Sequence, residues 1–418
     1  MYRKTILDNG IRVVTEHIPY VRSVSMGIWV TVGSRDEAKE NNGISHFIEH
    51  MIFKGTAKRS ALQIAKELDA VGGMSNAFTS RENTCFHARV LDTHVDVIID
   101  LLSDIFLNSL FDPAETEKER QVILQEISMV EDTPDDYIHD LFSSLFWGDN
   151  PLGFSVLGTA QSVTQIDSQT IHKYLHKTYL PDKIVVAAAG NLEHDAFLEQ
   201  VRRAFSIVPG RNGVPGRVTP AVKSRLAVHP KKCEQVNLIL GTKSCSATDS
   251  RRYACMLLNI ILGGSMSSRL FQEIRERRGL AYTIYSFISS YMDTGLSGIY
   301  AGVSRKNAVQ TIELILREIR NIKKNSVDEA ELASAKEHLK GGLLLAAESS
   351  DNRMTRLAKN EIHFGHFITY DELITQIDAV TREDIAMLAQ EYLSSETLSL
   401  TVLGPVSEED IPGDILSL

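Results

Sequence analysis

Residues 184–191 read Ile-Val-Val-Ala-Ala-Ala-Gly-Asn, and they follow a helical pattern over residues 171–179. A related pair occurs 214 positions later, where a helical pattern over 385–393 precedes Leu-Ser-Leu-Thr-Val-Leu-Gly-Pro at 398–405. Self-similarity at a fixed offset indicates an internal duplication. The sequence therefore predicts an α+β protein with two duplicated halves, each a mostly antiparallel sheet backed by helices.

The limits of the two halves follow from the same repeat. Residues 327–331 are similar in sequence to residues 111–115, at an offset of 216. A stretch rich in proline and glycine lies between the halves and predicts a linker. We therefore expect an N-terminal domain over 1–208, a linker over 209–224 and a homologous C-terminal domain over 225–418.

Composition places the chain among ordinary globular proteins. It has 418 residues, 43% hydrophobic and 23% charged, which is too long for one compact core. The net charge of −10 argues against a nucleic-acid partner and mildly favours basic peptides as ligands. The longest apolar runs have the length of strands, so no membrane partner is expected.

The residue pattern at the start of the sequence and the cysteine content together predict a cytoplasmic location. The chain begins with a strand pattern and no apolar signal segment. Its four cysteines, Cys85, Cys233, Cys245 and Cys255, lack the spacing of a metal knuckle and predict no disulfide framework.

The chemistry of the chain is indicated by residues 46–50, His-Phe-Ile-Glu-His. On a helix, His46 and His50 lie four residues apart and share a face, where they can bind one zinc ion. Glu49 is then the candidate general base for a zinc-bound water, in the order H-x-x-E-H. The turn residues 41–45 supply an N-cap, and the apolar neighbours of the motif predict a buried helix rather than a solvated one.

Zinc needs a further protein ligand, and a second helix offers two carboxylates. Asp112 and Pro113 predict the start of this helix, on which Glu119 and Glu126 lie seven residues apart on one face. From the residues alone, either carboxylate could equally be a solvated group on a helix surface.

Residues 43–56, Gly-Ile-Ser-His-Phe-Ile-Glu-His-Met-Ile-Phe-Lys-Gly-Thr, resemble the signature of the inverted-motif zinc peptidases. That family includes pitrilysin, insulin-degrading enzyme and the mitochondrial processing peptidase. Within it, the whole chain most resembles short bacterial enzymes similar to the catalytic (beta) subunit of the processing peptidase. The resemblance implies a metallopeptidase clamshell fold and one Zn²⁺ per chain, with Glu126 as third ligand and Glu119 as a carboxylate behind the ligands.

The duplication serves as an internal control on the metal site. The counterparts of His46 and His50 fall in residues 260–266, and the counterpart of Glu126 falls in residues 340–342, where no ligand set is present. Two other histidine pairs, His172 with His176 and His363 with His366, have no third ligand in view and are interpreted as structural.

Two residues of the second half are candidates for stabilising the reaction. Read alone, Arg275 is part of a charged helix face and Tyr282 is an aromatic residue of the strand after Gly279. The resemblance implies that they hold the substrate backbone and the developing oxyanion, which suits a guanidinium and a phenol. Arg277 and Arg278 are near enough to leave the choice of arginine open.

The substrate is expected to contact the strand that follows Gly72-Gly73. Read alone, this is an ordinary sheet strand. The resemblance implies an open edge to which the substrate adds as another strand, with Asn76, Ala77 and Phe78 as contact residues and a loose sequence preference.

Together these features predict a zinc endopeptidase. The resemblance implies that a homodimer forms a closed chamber, which admits only short or unfolded peptides as substrates. The alternatives are a non-catalytic core or partner subunit of the same fold, the catalytic subunit of a heterodimer, and a zinc hydrolase of non-peptide substrates.

Overall fold

The structure is a computed structural model that describes residues 1–206, 208 and 216–416. It contains two β-sheets backed by helices, which confirms the predicted α+β class. The strands are β1 (Tyr2–Ile6), β2 (Arg12–His17), β3 (Ser23–Val30), β4 (Met74–Thr79), β5 (Thr84–Leu91), β6 (Ile184–Gly190), β7 (Leu226–Pro230), β8 (Val236–Ser244), β9 (Ala281–Ser290), β10 (Gly295–Val303) and β11 (Ser399–Gly404). The helices are α1 (Ile44–Met51), α2 (Ala61–Ala70), α3 (Val95–Asn108), α4 (Pro113–Asp132), α5 (Pro134–Trp147), α6 (Ala160–Gln165), α7 (Ser168–Thr178), α8 (His194–Phe205), α9 (Arg252–Leu262), α10 (Ala308–Asn325), α11 (Glu329–Ala346), α12 (Ser350–Phe364), α13 (Tyr370–Asp378) and α14 (Arg382–Tyr392).

The two sheets share one strand order once β1 is set aside. The first sheet runs β1-β2-β6-β3-β5-β4, and the second runs β7-β11-β8-β10-β9. Each sheet has one parallel pair, β2 with β6 and β7 with β11, and its other pairs are antiparallel. The repeated apolar runs form β6 and β11, which occupy the same place in their sheets. The strand order therefore confirms the predicted duplication.

The burial of β6 explains why its sequence is apolar at every position. All seven residues of the strand are buried. Val186 and Ala188 pack in the core that includes residues of α3 and α8. Val185 and Ala187, on the opposite face, pack with Met354 of α12. A strand covered on both faces needs apolar side chains on both, so the run does not alternate.

The chain forms two compact units that are not continuous in sequence. The first comprises Met1–Ser128, Phe154–Arg217 and Leu345–Phe367, and the second comprises Met129–Gly153, Val218–Leu344 and Ile368–Leu418. Helix α5 accordingly packs on the second sheet and helix α12 on the first. The continuous domains 1–208 and 225–418 remain a prediction, and residues 209–215 of the predicted linker lie outside the described residues.

Helix α12 is joined to the first sheet by ion pairs as well as by apolar packing. Glu361 is buried, and its carboxylate lies 2.8 Å from the Lys4 ammonium. The Arg353 guanidinium lies 2.6 Å from the Glu16 carboxylate. The two pairs lie near opposite ends of the helix.

One prediction about the cysteines was wrong. Cys245, which directly follows β8, and Cys255 of α9 form a disulfide. The two residues are ten positions apart, and their spacing does not reveal that the intervening turn brings α9 back beside the end of β8. Cys85 and Cys233 are free thiols.

Helix α10 shows packing through one apolar face. Its buried side carries Ile312, Ile315, Ile319 and Ile322, and the helix also carries many charged residues. Of the helices that the structure describes, none is long and apolar enough to cross a membrane.

Candidate metal centre

Helix α1, which carries the two histidines, begins at a buried turn. Gly43 precedes the helix with φ of 93°, in the left-handed region. The Glu37 carboxylate accepts hydrogen bonds from the backbone N–H groups of Gly43 and Ser45, at 2.7 and 2.8 Å. The N-cap residue, Gly43, lies within the predicted segment 41–45, but it has no side chain, and the Glu37 carboxylate accepts the hydrogen bonds in its place. Burial raises the pKa of Glu37 to about 7.

The two histidines of α1 face each other as their spacing predicts. The Nε2 atoms of His46 and His50 are 3.2 Å apart. Phe47, Ile48 and Met51 are buried and anchor the rest of the helix. Burial, followed by the neighbouring His50, lowers the pKa of His46 to about 4. The His46 imidazole is therefore neutral near pH 7, which is the form that binds metal ions.

Glu126 of α4 completes a group of three potential ligands. Its Oε2 lies 3.7 Å from Nε2 of His46 and 3.5 Å from Nε2 of His50. Within the described part of the chain, this is the one cluster of three or more histidine, cysteine, aspartate or glutamate side chains with potential ligand atoms all within 4.8 Å.

The spacing of these three atoms fits a zinc ion. Zinc binds histidine nitrogen and carboxylate oxygen at about 2.0–2.2 Å in a tetrahedral arrangement, which separates neighbouring ligand atoms by roughly 3.3 Å. The three separations of 3.2, 3.5 and 3.7 Å are close to that value. Two imidazoles and one carboxylate also form a known catalytic donor set that leaves a fourth position open.

Glu119, one of the two carboxylates predicted on α4, contacts the potential ligand His50 rather than the metal position. Its Oε1 accepts a hydrogen bond from Nδ1 of His50 at 2.9 Å. A proton on Nδ1 leaves the lone pair of Nε2 directed at the metal position.

Glu49 lies on α1 next to His50 and contacts β4. It accepts hydrogen bonds from the side chain and backbone N–H of Thr79. Burial raises the pKa of Glu49, and the nearby Glu126 adds to the effect. The Oε2 atom of Glu49 is buried and has no hydrogen-bond partner among the described residues.

A cleft of about 350 Å³ opens beside these residues. Its lining consists of the side chains and backbone of Glu49, His50, Phe53, Lys54, Ser75, Asn76, Ala77 and Glu119. The site thus joins the histidine helix, the loop after it, helix α4 and strand β4. Lys54 and Ser75 were not among the predicted residues, although Lys54 follows His50 by four positions.

Strand β4 is an edge strand, paired with β5 on one side. Asn76 and Ala77 line the cleft, and their contact with a substrate stays a prediction. The Phe78 ring instead packs against Trp29, with ring centroids 5.3 Å apart. Successive side chains of a strand point to opposite faces, so Phe78 points away from the face that carries Ala77.

The second unit carries Tyr282 at a distortion of its own edge strand. In the pairing of β9 with β10, Thr283 lies opposite Gly302 and Ala281 lies opposite Val303, so Tyr282 is an extra residue without a partner. Such a bulge redirects a side chain. The Tyr282 side chain is 77% exposed.

The structure distinguishes Arg275 from its neighbours. Its guanidinium lies 5.6 Å from the centroid of the Tyr282 ring, and it forms no ion pair with the described residues. Arg277 and Arg278 both pair with Glu273 instead. Arg275 lies in a short π-helical segment, Phe271–Glu276, within the helix that the sequence predicted to end at Gly279.

The other histidine pairs do not form metal clusters with the described residues. His363 lies near the end of α12, and burial, together with the nearby Lys359 and Arg217, lowers its pKa to about 4. The His172 ring packs edge-on against Phe111.

Two regions of the chain match known families. Residues 12–160 match the family described as "Insulinase (Peptidase family M16)", and residues 165–339 match "Peptidase M16 inactive domain". A Bacillus subtilis (strain 168) protein named "Uncharacterized zinc protease YmxG" is 41% identical over 405 residues, which are 97% of this chain and 98% of that protein. A Streptomyces coelicolor protein, also named as an uncharacterized zinc protease, is 41% identical over 97% of this chain and 90% of its own length.

Solved structures share the fold over nearly the whole chain. The crystal structure of a protease from Helicobacter pylori has a TM-score of 0.89 and 22% identity, and covers 97% of this chain and 99% of that one. A structure from Pseudomonas fluorescens described as a peptidase M16 inactive domain also has a TM-score of 0.89, with 19% identity over 97% of this chain and 98% of that one. The sequence relatives and the matching domains together establish that this chain belongs to peptidase family M16, the insulinase-like family that includes pitrilysin, insulin-degrading enzyme and the mitochondrial processing peptidase.

Proposed function

We propose that this protein is a zinc-dependent endopeptidase that hydrolyses short or unfolded peptides. The observation that carries the proposal is the cluster of His46, His50 and Glu126 beside a cleft that runs along an open sheet edge. Its relatives are named zinc proteases, which supports peptidase chemistry as the general class.

One Zn²⁺ per chain would be held by His46, His50 and Glu126. When bound, zinc supplies Lewis-acid polarisation of the scissile carbonyl and lowers the pKa of water to near 7. Glu119 keeps the His50 ring in the orientation that presents Nε2 to the metal.

Glu49 is the proposed general base. Its buried Oε2 has no partner among the described residues and so is free to accept a proton from the attacking water. The raised pKa makes its carboxylate a stronger base than an exposed glutamate. The resulting carboxylic acid then returns the proton to the departing amine as the C–N bond breaks.

The substrate backbone is proposed to pair with β4. Ser80 N–H donates to the carbonyl of Asn83 at the end of the β4–β5 pair. Because hydrogen-bonding direction alternates along a strand, the backbone groups of Ser75 and Ala77 face the open edge. The Ala77 N–H donates a hydrogen bond to Oδ1 of the Asn76 side chain at 2.9 Å. A substrate carbonyl could take the place of that oxygen as the acceptor. Main-chain pairing predicts a loose sequence preference.

The second half is proposed to contribute Arg275 and Tyr282. The exposed phenol of Tyr282 can donate a hydrogen bond to the oxyanion, and the guanidinium of Arg275, which forms no ion pair with described residues, can hold a substrate carbonyl. Activity would then require residues from both halves of the chain, although the three proposed metal ligands all lie in the first.

We further propose that the enzyme works as a cytoplasmic homodimer that encloses its substrates in a chamber. A closed chamber excludes folded proteins, which is why short or unfolded peptides are the proposed substrates. The net charge of −10 favours basic peptides among them.

The test is hydrolysis of a peptide library by the purified protein, with and without a chelator, beside the Glu49→Gln variant. We expect cleavage by the wild type, loss of cleavage with chelator, and almost none by the variant despite normal zinc content. A wild type that cuts nothing would favour the non-catalytic or heterodimer alternative. Light scattering on the same sample tests the homodimer.

A further inference from the structure

The lysine in the metal cleft is bonded to the carboxylate that orients a metal ligand. Nζ of Lys54 lies 2.6 Å from Oε2 of Glu119. Oε1 of the same carboxylate accepts from Nδ1 of His50 at 2.9 Å. Lys54, Glu119 and His50 thus form a continuous chain of hydrogen bonds that ends at a ligand atom.

This arrangement leaves the Glu119 side chain little freedom. The side chain is 9% exposed, and its two oxygens are each bonded to a different partner. If the Lys54 contact is removed, the carboxylate keeps one partner and can rotate about that bond. The direction of the His50 ring then becomes less well defined.

The charges of the site support the same role. Three carboxylates, those of Glu49, Glu119 and Glu126, lie at or beside the metal position. A divalent ion together with the Lys54 ammonium balances three negative charges, whereas without the lysine the group has an excess negative charge. Charges that are withdrawn from water require such compensation.

We propose that Lys54 is a positioning residue for the metal: it fixes Glu119, which in turn directs Nε2 of His50 at the ion. The inference rests on the proposed metal-binding function of the three ligands. It does not require that the protein cleaves peptides.

The competing role for Lys54 is direct contact with the substrate, since 32% of its side chain is exposed and it lines the cleft. The two roles differ in what they change. A positioning residue alters zinc affinity in the absence of substrate, whereas a substrate contact alters KM and leaves zinc affinity unchanged.

The experiment measures the zinc dissociation constant of the full chain by competition with a chromogenic chelator. We expect Lys54→Met to weaken zinc binding by roughly 10- to 100-fold, the range for residues behind metal ligands. Lys54→Arg, which keeps a cationic donor, should recover most of the loss. Lys58→Met is the matched control, because Lys58 is exposed and has no charged partner in the described structure. The zinc affinity of this variant should equal that of the wild type.

A double-mutant cycle tests the route through Glu119. If Lys54 acts through that carboxylate, Lys54→Met adds little to the loss already caused by Glu119→Gln. Circular dichroism of every variant distinguishes a specific loss of zinc affinity from misfolding. Lys54→Gln provides a second substitution at the same position. Unchanged zinc affinity in folded Lys54→Met and Lys54→Gln, or full additivity with Glu119→Gln, would overturn the proposal. A wild type that binds zinc but cuts no peptide contradicts the proposed peptidase function and leaves this test intact.

Discussion

Replacing Gly43 with alanine tests whether the buried turn before α1 determines the stability of the metal-binding half. Gly43 has φ of 93°, and the left-handed region costs an L-residue roughly 1–2 kcal/mol. An added Cβ would lie 2.6 Å from the carbonyl oxygen of Leu157 and 2.9 Å from Cα of Gly158. Both contacts are with backbone, and overpacking of this kind typically costs about 1–3 kcal/mol. We therefore expect Gly43→Ala to lower the free energy of unfolding by about 2–5 kcal/mol.

Gly365→Ala is the matched control for this experiment. Gly365 also has a positive φ, of 71°, but no described atom lies within 4 Å of the position of its Cβ. Its substitution should cost roughly 1–2 kcal/mol, from backbone conformation alone.

Thermal unfolding followed by circular dichroism distinguishes the two variants. A change of 1 kcal/mol shifts Tm by roughly 2–4 °C for a unit of about 200 residues, so Gly43→Ala should lower Tm by about 10 °C. Zinc titration should also show weaker binding, since α1 carries two of the three proposed ligands. If Gly43→Ala melts at the same temperature as Gly365→Ala, the close backbone contact with Leu157 does not determine stability and the reasoning is refuted.

Two further predictions concern the reaction, and a third concerns the pH dependence of stability. Glu49→Gln should lower kcat by roughly 10²- to 10⁴-fold with unchanged zinc content, measured by peptide hydrolysis and metal analysis. Tyr282→Phe should lower kcat by about 10²-fold or more at unchanged Tm, because the exposed hydroxyl makes little contribution to folding. Because burial raises the pKa of Glu37 from 4.5 to about 7, the folded protein keeps a proton that the unfolded chain loses between those values. The free energy of unfolding therefore falls by roughly 3 kcal/mol as pH rises from about 4.5 to 7. In urea unfolding experiments, Glu37→Gln should not show this decrease.

Each of these predictions has an outcome that contradicts it. Equal activity of Glu49→Gln and wild type would remove Glu49 as the base. Full kcat in Tyr282→Phe would exclude the phenol from stabilising the oxyanion. Parallel pH profiles for wild type and Glu37→Gln would show that the carboxyl of Glu37 is not perturbed by burial.

The parts of the fold and site that sequence predicts are those encoded by local patterns. A continuous apolar run such as residues 184–190 indicates a buried strand, and its repetition indicates a second half with its own sheet. The four-residue spacing of His46 and His50 similarly requires only that α1 be helical. The proposed third ligand, Glu126, could be assigned only through the family resemblance, because periodicity on α4 does not show which neighbour it faces.

The features that sequence did not predict depend on long-range contacts. An amphipathic pattern shows that α5 and α12 each have an apolar face, but not which sheet that face covers. The cap of α1 by Glu37 and the bond of Lys54 to Glu119 both require charged side chains to be withdrawn from solvent. Lysine and glutamate are usually exposed, so composition and periodicity assign such residues to the surface.

The packing of α12 on the first sheet has a consequence for synthesis on the ribosome. One face of β6 has no helix packed on it until residues 350–364 have been synthesised, about 160 residues after the strand itself. At 5–20 residues per second, this interval is on the order of 10–30 s. During that time the nascent chain exposes Val185, Ala187 and Trp29 of an incomplete core. An N-terminal fragment that ends before α12 should therefore aggregate or bind chaperones, and the duplicated halves cannot be separated by cutting the gene at their midpoint.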